Sequence, residues 1–394
     1  MTEALPLIQA LMRGATDASE EAEIIEVLRR ASADDLNHLL DAVDLDALVT
    51  DVDDRVIGPD NLTVLLRLLA DQRRDELTIP NQAKVIHAMQ IGRTGDAEEA
   101  LIAGILLSRH GLELTQLKNQ LNLRADEHDL EGLVYVDLDS DEIRARVLEH
   151  FASEALGVEV RDVKVLSDID DTAFSKLHET RYPKGTLIPG ILALYQALDN
   201  GPLDAPTSTG DLTFVTARPK DALGLIETHT KDVLIKAGVS RSSILQGGFT
   251  NLTSKERMAA AKLANMVRYL QMFGEYDLVW IGDSGQGDII TGLALITEAP
   301  DRTRLVLIHD VLAMSAEERD ELRARGVHVV DTYVAAGIIA RDAGLVSDAG
   351  LAKIITETVA GFEAIAWDSP EQEAATRALL DADLSRVTAG IVTT

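Results

Sequence analysis

The chain has 394 residues, more than one hydrophobic core ordinarily organises, so two domains are the starting expectation. It has no cysteine, which excludes disulfides and thiolate metal sites and fits a reducing compartment. Its formal net charge of −29 argues against a nucleic-acid partner, because such binding depends on basic residues that displace counterions.

At the N-terminus the apolar stretch Ala4 to Met12 is broken by Pro6 and Gln9 and followed by Asp17, Glu20 and Glu21, unlike an export signal. No later segment approaches the roughly 18 uninterrupted apolar residues of a membrane helix. The expectation is a cytoplasmic protein without an integral membrane segment. Residues 1–160 read as an all-α domain. Glu21 to Arg30 and Leu62 to Leu69 carry apolar residues at threes and fours. Ser32 before Asp34-Asp35, Asp60 before Leu62 and Pro80 after Thr78 are helix-start signals. The pattern gives no partner for this helical domain.

From residue 161 short apolar runs alternate with amphipathic stretches. The runs are Val163 to Leu166, Leu212 to Val215, Leu278 to Ile281, Leu305 to Ile308 and Val327 to Val330. The stretches between them include Ile188 to Leu198, Ala222 to Ala237 and Lys255 to Met272. This alternation predicts an α/β domain over 161–345, a parallel sheet with helices on both faces. Residues 346–394 read as a C-terminal helical extension.

Ligands of open α/β sheets bind at the carboxyl ends of the strands. Three runs end in polar groups there: Asp168, Thr216 with Arg218, and Asp283. In Asp168-Ile169-Asp170-Asp171-Thr172, residues two apart point the same way on an extended chain, so Asp168 and Asp170 can share the crevice. Two carboxyls in different environments can divide the work, one attacking phosphorus and the other handling the leaving-group proton. Asp170 is the expected proton carrier. Two rival Asp-x-Asp pairs, Asp51 with Asp53 and Asp137 with Asp139, lack Thr at the fifth position and suit helix capping instead.

The segment Asp168 to Thr172 resembles the first motif of the haloacid dehalogenase-like phosphatases. Thr216 matches their second motif, and Gly282 to Asp288 their acidic fourth. Within that superfamily the sequence is most similar to the phosphatidate phosphatase group of the actin-patch type, distantly related to the lipins, over about 161–340. The resemblance implies a haloacid dehalogenase-like, Rossmann-like sheet. It also implies Asp168 as a nucleophile forming an aspartyl-phosphate, Asp170 as general acid/base, and Thr216 with a lysine holding the phosphoryl oxygens. Lys255 and Lys262 compete for that last role; spacing to the aromatic Phe273 selects Lys262. Mg2+ would be bound by the Asp168 carboxylate, the Asp170 backbone carbonyl and Asp283, with Asp288 either a ligand or an outer partner. Where that group continues its second motif with Ser-Pro and an aromatic, this chain has Ala217-Arg218-Pro219, so Arg218 is either a substrate contact or a surface residue.

The intervals Thr172 to Thr213 and Pro219 to Lys262 are too short for a full cap domain, which predicts a capless, open site. The expected function is a Mg2+-dependent phosphomonoesterase acting on a bulky phosphoester, with phosphatidate the candidate the resemblance raises. The alternative is a phospho-ligand or lipid-headgroup binding module that recruits a partner through its helical domain.

Overall fold

A computed structural model describes residues 4–14, 16–52, 60–91, 94–123, 128–158, 163–204, 212–219, 243–247 and 254–391; side-chain surroundings are described for all of these except 216–219, 243–247 and 388–391. The chain divides into two compact units, Met1–Glu159 with Gln271–Gly274, and Val160–Leu270 with Glu275–Thr394.

In the first unit the polar start signals act as caps. Asp17 accepts from the N–H groups of Ser19 and Glu20, while the Glu20 carboxylate accepts from Asp17 N–H, a reciprocal capping box for Ala18–Arg30. Ser32 and Asp60 cap Ala33–Ala42 and Asn61–Arg67 in the simpler way. Leu36, Leu39 and Leu40, spaced by three and one, lie on the buried face of Ala33–Ala42.

The second unit is built on six parallel strands: β1 (Val163–Ser167), β2 (Leu212–Pro219), β3 (Ser243–Gly247), β4 (Asp277–Asp283), β5 (Thr303–His309) and β6 (Val327–Val330). Their spatial order is β3-β2-β1-β4-β5-β6. β1 and β4 are buried along their whole length, which is why β4 reads as a near-continuous apolar run from Leu278 to Ile281, while β1 also buries Lys164. β3 is not among the apolar runs that the sequence offers. Only Ile244 and Leu245 carry an apolar signal there, and parallel pairing to β2 supplies what local pattern does not. The expected amphipathic stretch Ala222 to Ala237 lies outside the described residues, as does most of the interval Pro219 to Lys262.

The described helices of this unit are α1 (Ile191–Asn200), α2 (Lys255–Met272), α3 (Asp288–Glu298), α4 (Ala316–Ala324), α5 (Tyr333–Asp342), α6 (Asp348–Glu363) and α7 (Pro370–Ile391). Val165, Phe214, Val279, Ile281 and Leu307 of the sheet share one core with Leu194 of α1, Ala336 of α5 and Ile354 of α6. Leu351, Phe362 and Leu380 join α6 and α7 to α5, so the C-terminal helices belong to the compact unit that contains the sheet. Fully burying each of these Val, Leu, Ile and Phe side chains contributes about 1.5–3 kcal/mol. Among the described residues no helix is long and apolar enough to cross a membrane.

In this strand order the direction of winding reverses between β1 and β4, and a crevice opens outside their carboxyl ends. Asp168 and Asp283 stand there.

Candidate active site

Asp168 immediately follows β1, and its N–H donates to the Ile281 carbonyl at 2.9 Å, carrying the β1–β4 ladder one residue beyond the strand. That bond fixes the backbone from which the carboxylate projects. Asp283 is the last residue of β4, and Asp288 opens α3 with one oxygen accepting from Asp283 N–H at 3.1 Å. Lys262, in the middle of α2, reaches both acids: its Nζ lies 2.7 Å from Asp168 Oδ1 and 2.6 Å from Asp288 Oδ1. All four side chains are buried, and one carboxylate oxygen from each of Asp168, Asp283 and Asp288 lies within 4.8 Å of the other two.

Three buried carboxylates face one ammonium, so the cluster carries uncompensated negative charge. Burial pushes the Asp168 carboxyl up to about 7, with Lys262 opposing the rise and Asp288 adding to it. Burial, then the charges of Asp288 and Asp168, push Asp283 well above the usual carboxylate range. Burial alone would lower the Lys262 ammonium, yet the two flanking carboxylates hold it above its ordinary value. Asp168 Oδ2 is buried and has no hydrogen-bond partner among the described residues. An all-oxygen donor set, excess negative charge and an orphaned carboxylate oxygen fit a hard divalent cation.

Asp170 lies on the loop after β1. Its Oδ1 pairs with Lys176 Nζ at 2.8 Å, and its backbone carbonyl accepts from Gln286 Nε2 at 3.1 Å. Gln286 Nε2 also lies 3.3 Å from Asp283 Oδ2, and Asp283 Oδ1 accepts from the N–H groups of Gly285 (2.6 Å) and Gln286 (3.1 Å). The next residue organises the loop. Asp171 adopts φ +62°, a left-handed conformation that aspartate tolerates better than most residues. Its buried carboxylate accepts the backbone N–H groups of Lys176, Leu177 and His178 at 2.7–2.8 Å. This clamp presents Lys176 to Asp170. Sequence reasoning missed Asp171, Lys176 and Gln286; the one local hint was a third acid in the Asp168–Asp171 run, a residue type that binds backbone in turns.

Of the expected site residues, the structure therefore brings Asp168, Lys262, Asp283 and Asp288 together and sets Asp170 beside them on the same loop. Thr216 and Arg218 lie on β2, but their side chains are outside the described part of the structure. Lys255 is exposed at the start of α2. Asp51 sits in a helix and accepts from Thr16 N–H, Asp137 accepts from Gln90 Nε2, and Asp53 lies outside the described residues. His178 is 43% exposed and leans on Asp171.

Two glycines make the turn from β4 into α3 possible. Gly287 has φ +110°, and a Cβ there would meet the Lys255 carbonyl oxygen at 2.8 Å. A Cβ on Gly282 would lie 2.5 Å from Asp288 Cβ and 2.6 Å from its Oδ2. Gly282→Ala should therefore displace Asp288 and, with it, Lys262. A misplacement of about 1 Å can cost on the order of 10²-fold in turnover, and a loss of that size is expected in steady-state assays of folded variant. Unchanged turnover would mean that the position of Asp288 is immaterial.

An open parallel sheet that gathers buried carboxylates and a lysine at its switch point defines an α/β domain with an acidic centre suited to a cation and an anionic ligand. Residues 163–310 match the family model described as the catalytic domain of phosphatidate phosphatase APP1, the group that the motif resemblance indicated. The match runs from β1 to just beyond β5 and includes Asp168, Asp170, Thr216, Lys262, Asp283 and Asp288. No curated protein and no solved structure gives a significant match.

Proposed function

We propose that the chain is a Mg2+-dependent phosphomonoesterase of the haloacid dehalogenase type, acting through an aspartyl-phosphate on Asp168, with phosphatidate as its substrate. The observation that carries this reading is Asp168 itself. One of its oxygens is held by Lys262, while the other is buried and lacks a hydrogen-bond partner among the described residues. A carboxylate so oriented and desolvated is suited to in-line attack.

In the first step an Asp168 oxygen forms a bond to phosphorus as the ester P–O bond breaks, and Asp170 gives its proton to the departing oxygen. In the second, Asp170 takes a proton from water, whose oxygen attacks phosphorus. The acyl-phosphate bond breaks, inorganic phosphate leaves and the Asp168 carboxylate is restored. Lys262 and Thr216 hold the equatorial oxygens, and Lys176 orients the Asp170 carboxylate. Asp168, Asp283 and the Asp170 carbonyl would hold Mg2+, which supplies charge neutralisation for the phosphoryl group. The two oxygens of Asp288 are engaged by Lys262 and Asp283 N–H, so it supports both neighbours.

The charge distribution bears on how a lipid substrate would be met. Arg304, Arg319, Arg323 and Arg386 line one cleft, yet each is ion-paired: with Asp277, with Asp310 and Asp331, with Asp320, and with Asp383. A net charge of −29 then predicts weak binding to anionic vesicles at low salt, improving as salt screens the repulsion. The test measures phosphate release from phosphatidate in mixed micelles and from soluble monoesters, with Mg2+ and with chelator, alongside co-sedimentation with phosphatidate vesicles across salt. Release from phosphatidate that chelator stops and Mg2+ restores is the expected result. Release insensitive to chelator, or none from any ester, would sink the proposal. Turnover of soluble esters alone would remove phosphatidate, and tight low-salt vesicle binding that salt weakens would refute the charge argument.

A further inference from the structure

The helical unit holds a second cluster of metal-ligating side chains. His150 and Glu154 stand one turn apart on the helix Asp141–Ala155, and His110 is the N-cap of the helix Gly111–Asn122. One donor atom from each of the three lies within 4.8 Å of the other two. His110 Nδ1 is 2.9 Å from Glu154 Oε1, and the two imidazoles meet edge to face with centroids 5.3 Å apart.

What distinguishes this cluster from a chance surface contact is how it is held from behind. His150 Nε2 lies 2.8 Å from the Arg109 carbonyl, so Nε2 carries the proton and donates, leaving the Nδ1 lone pair available to a ligand. Glu154 Oε2 accepts from Gly111 N–H at 2.9 Å, and Oε1 accepts the His110 Nδ1 proton, which a bound cation would replace between the same two atoms. Backbone groups of a single turn, Arg109 to Gly111, thus orient an imidazole and a carboxylate in the way that outer partners orient metal ligands. The His110 side chain is 67% exposed, so water can reach the cluster and complete a coordination sphere.

We propose that His110, His150 and Glu154 bind a divalent transition metal of the Zn2+ type. Two imidazole nitrogens and one carboxylate oxygen, with room for water, suit tetrahedral Zn2+ and not Mg2+, which prefers six oxygen ligands. Bound there, the ion ties the start of Gly111–Asn122 to the last turn of Asp141–Ala155 and stabilises the helical unit. This inference is independent of the phosphatase reading, since none of the three residues belongs to the α/β site.

The test uses the full-length chain, stripped of metal and then saturated with Mg2+, titrated with zinc chloride by calorimetry and followed by thermal melts. Wild type should take up a zinc equivalent that His110→Ala weakens at least about tenfold, with a Zn2+-dependent rise in Tm that the variant lacks. Because His110 is exposed, that variant should fold even if His150→Ala does not. Asp283→Asn should keep the zinc site. No Zn2+ binding by folded wild type, or binding lost in Asp283→Asn and retained in His110→Ala, would overturn the proposal.

Discussion

Asp168→Asn is expected to lower turnover at least about 10³-fold while the protein stays folded, the loss appropriate to removal of a covalent nucleophile. The amide keeps the shape and the Ile281 contact of the backbone, and it leaves Asp288 beside Lys262. Burial already pushes the Asp168 carboxyl up to about 7, which means that the site disfavours its charge in the absence of a cation. A neutral amide should therefore cost little stability, and the melting curve of the variant should lie close to that of wild type. Chelator should mimic the activity loss in wild type, and Mg2+ should reverse it. Phosphate release from the asparagine variant at the wild-type rate would eliminate Asp168 as nucleophile.

Lys262→Ala should cost about 2–4 kcal/mol of transition-state stabilisation, roughly a 30- to 900-fold loss of kcat/KM, if its ammonium clamps the transferring phosphoryl group. Unlike Asp168→Asn, this change should also lower stability. It leaves Asp168 and Asp288 buried without the ammonium that both now contact, and breaking a buried ion pair from one side typically costs about 3–5 kcal/mol. Added Mg2+ should recover part of that loss by supplying positive charge to the same carboxylates, so the Mg2+-dependent rise in Tm should be larger in the variant than in wild type. Lys255→Ala, at an exposed helix start, should leave both activity and melting nearly unchanged. Steady-state kinetics and melts of the two variants decide the matter. A large loss in Lys255→Ala with a silent Lys262→Ala would reverse the assignment of the lysine.

Much of this protein is written in local pattern. The runs at 278–281 and 305–308 become buried strands because a strand covered on both faces favours apolar residues at consecutive positions, and 163–166 follows the same rule except at the buried Lys164, whose Nζ lies over the Tyr276 ring. Ser32 and Asp60 could be read as helix starts because a cap binds N–H groups only two or three positions away. The acids of the two Asp-containing motifs are visible for a similar reason: Asp168 directly follows a strand run and Asp283 ends one, and the short spacings from them to Asp170 and Asp288 are properties of single turns.

The remaining features depend on the path of the chain. β3 carries two apolar residues, too few for a periodic signal, and exists through its pairing with β2. Two lysines seven positions apart on α2 offered equal local chemistry, and spacing to Phe273 under the family resemblance favoured Lys262. The packed helix adds the contact itself, the Lys262 ammonium meeting Asp168, 94 residues away, while Lys255 faces solvent. Gln286 reaches the Asp170 carbonyl across 116 residues, and His110 meets Glu154 across 44, so neither partnership leaves a motif in the sequence. Neighbours in sequence determined which segments bury themselves and which residues end them. Contacts between distant segments, set by how helices and strands pack, decided which charged groups share a site, because side-chain chemistry acts over a few ångströms of space whatever the separation along the chain.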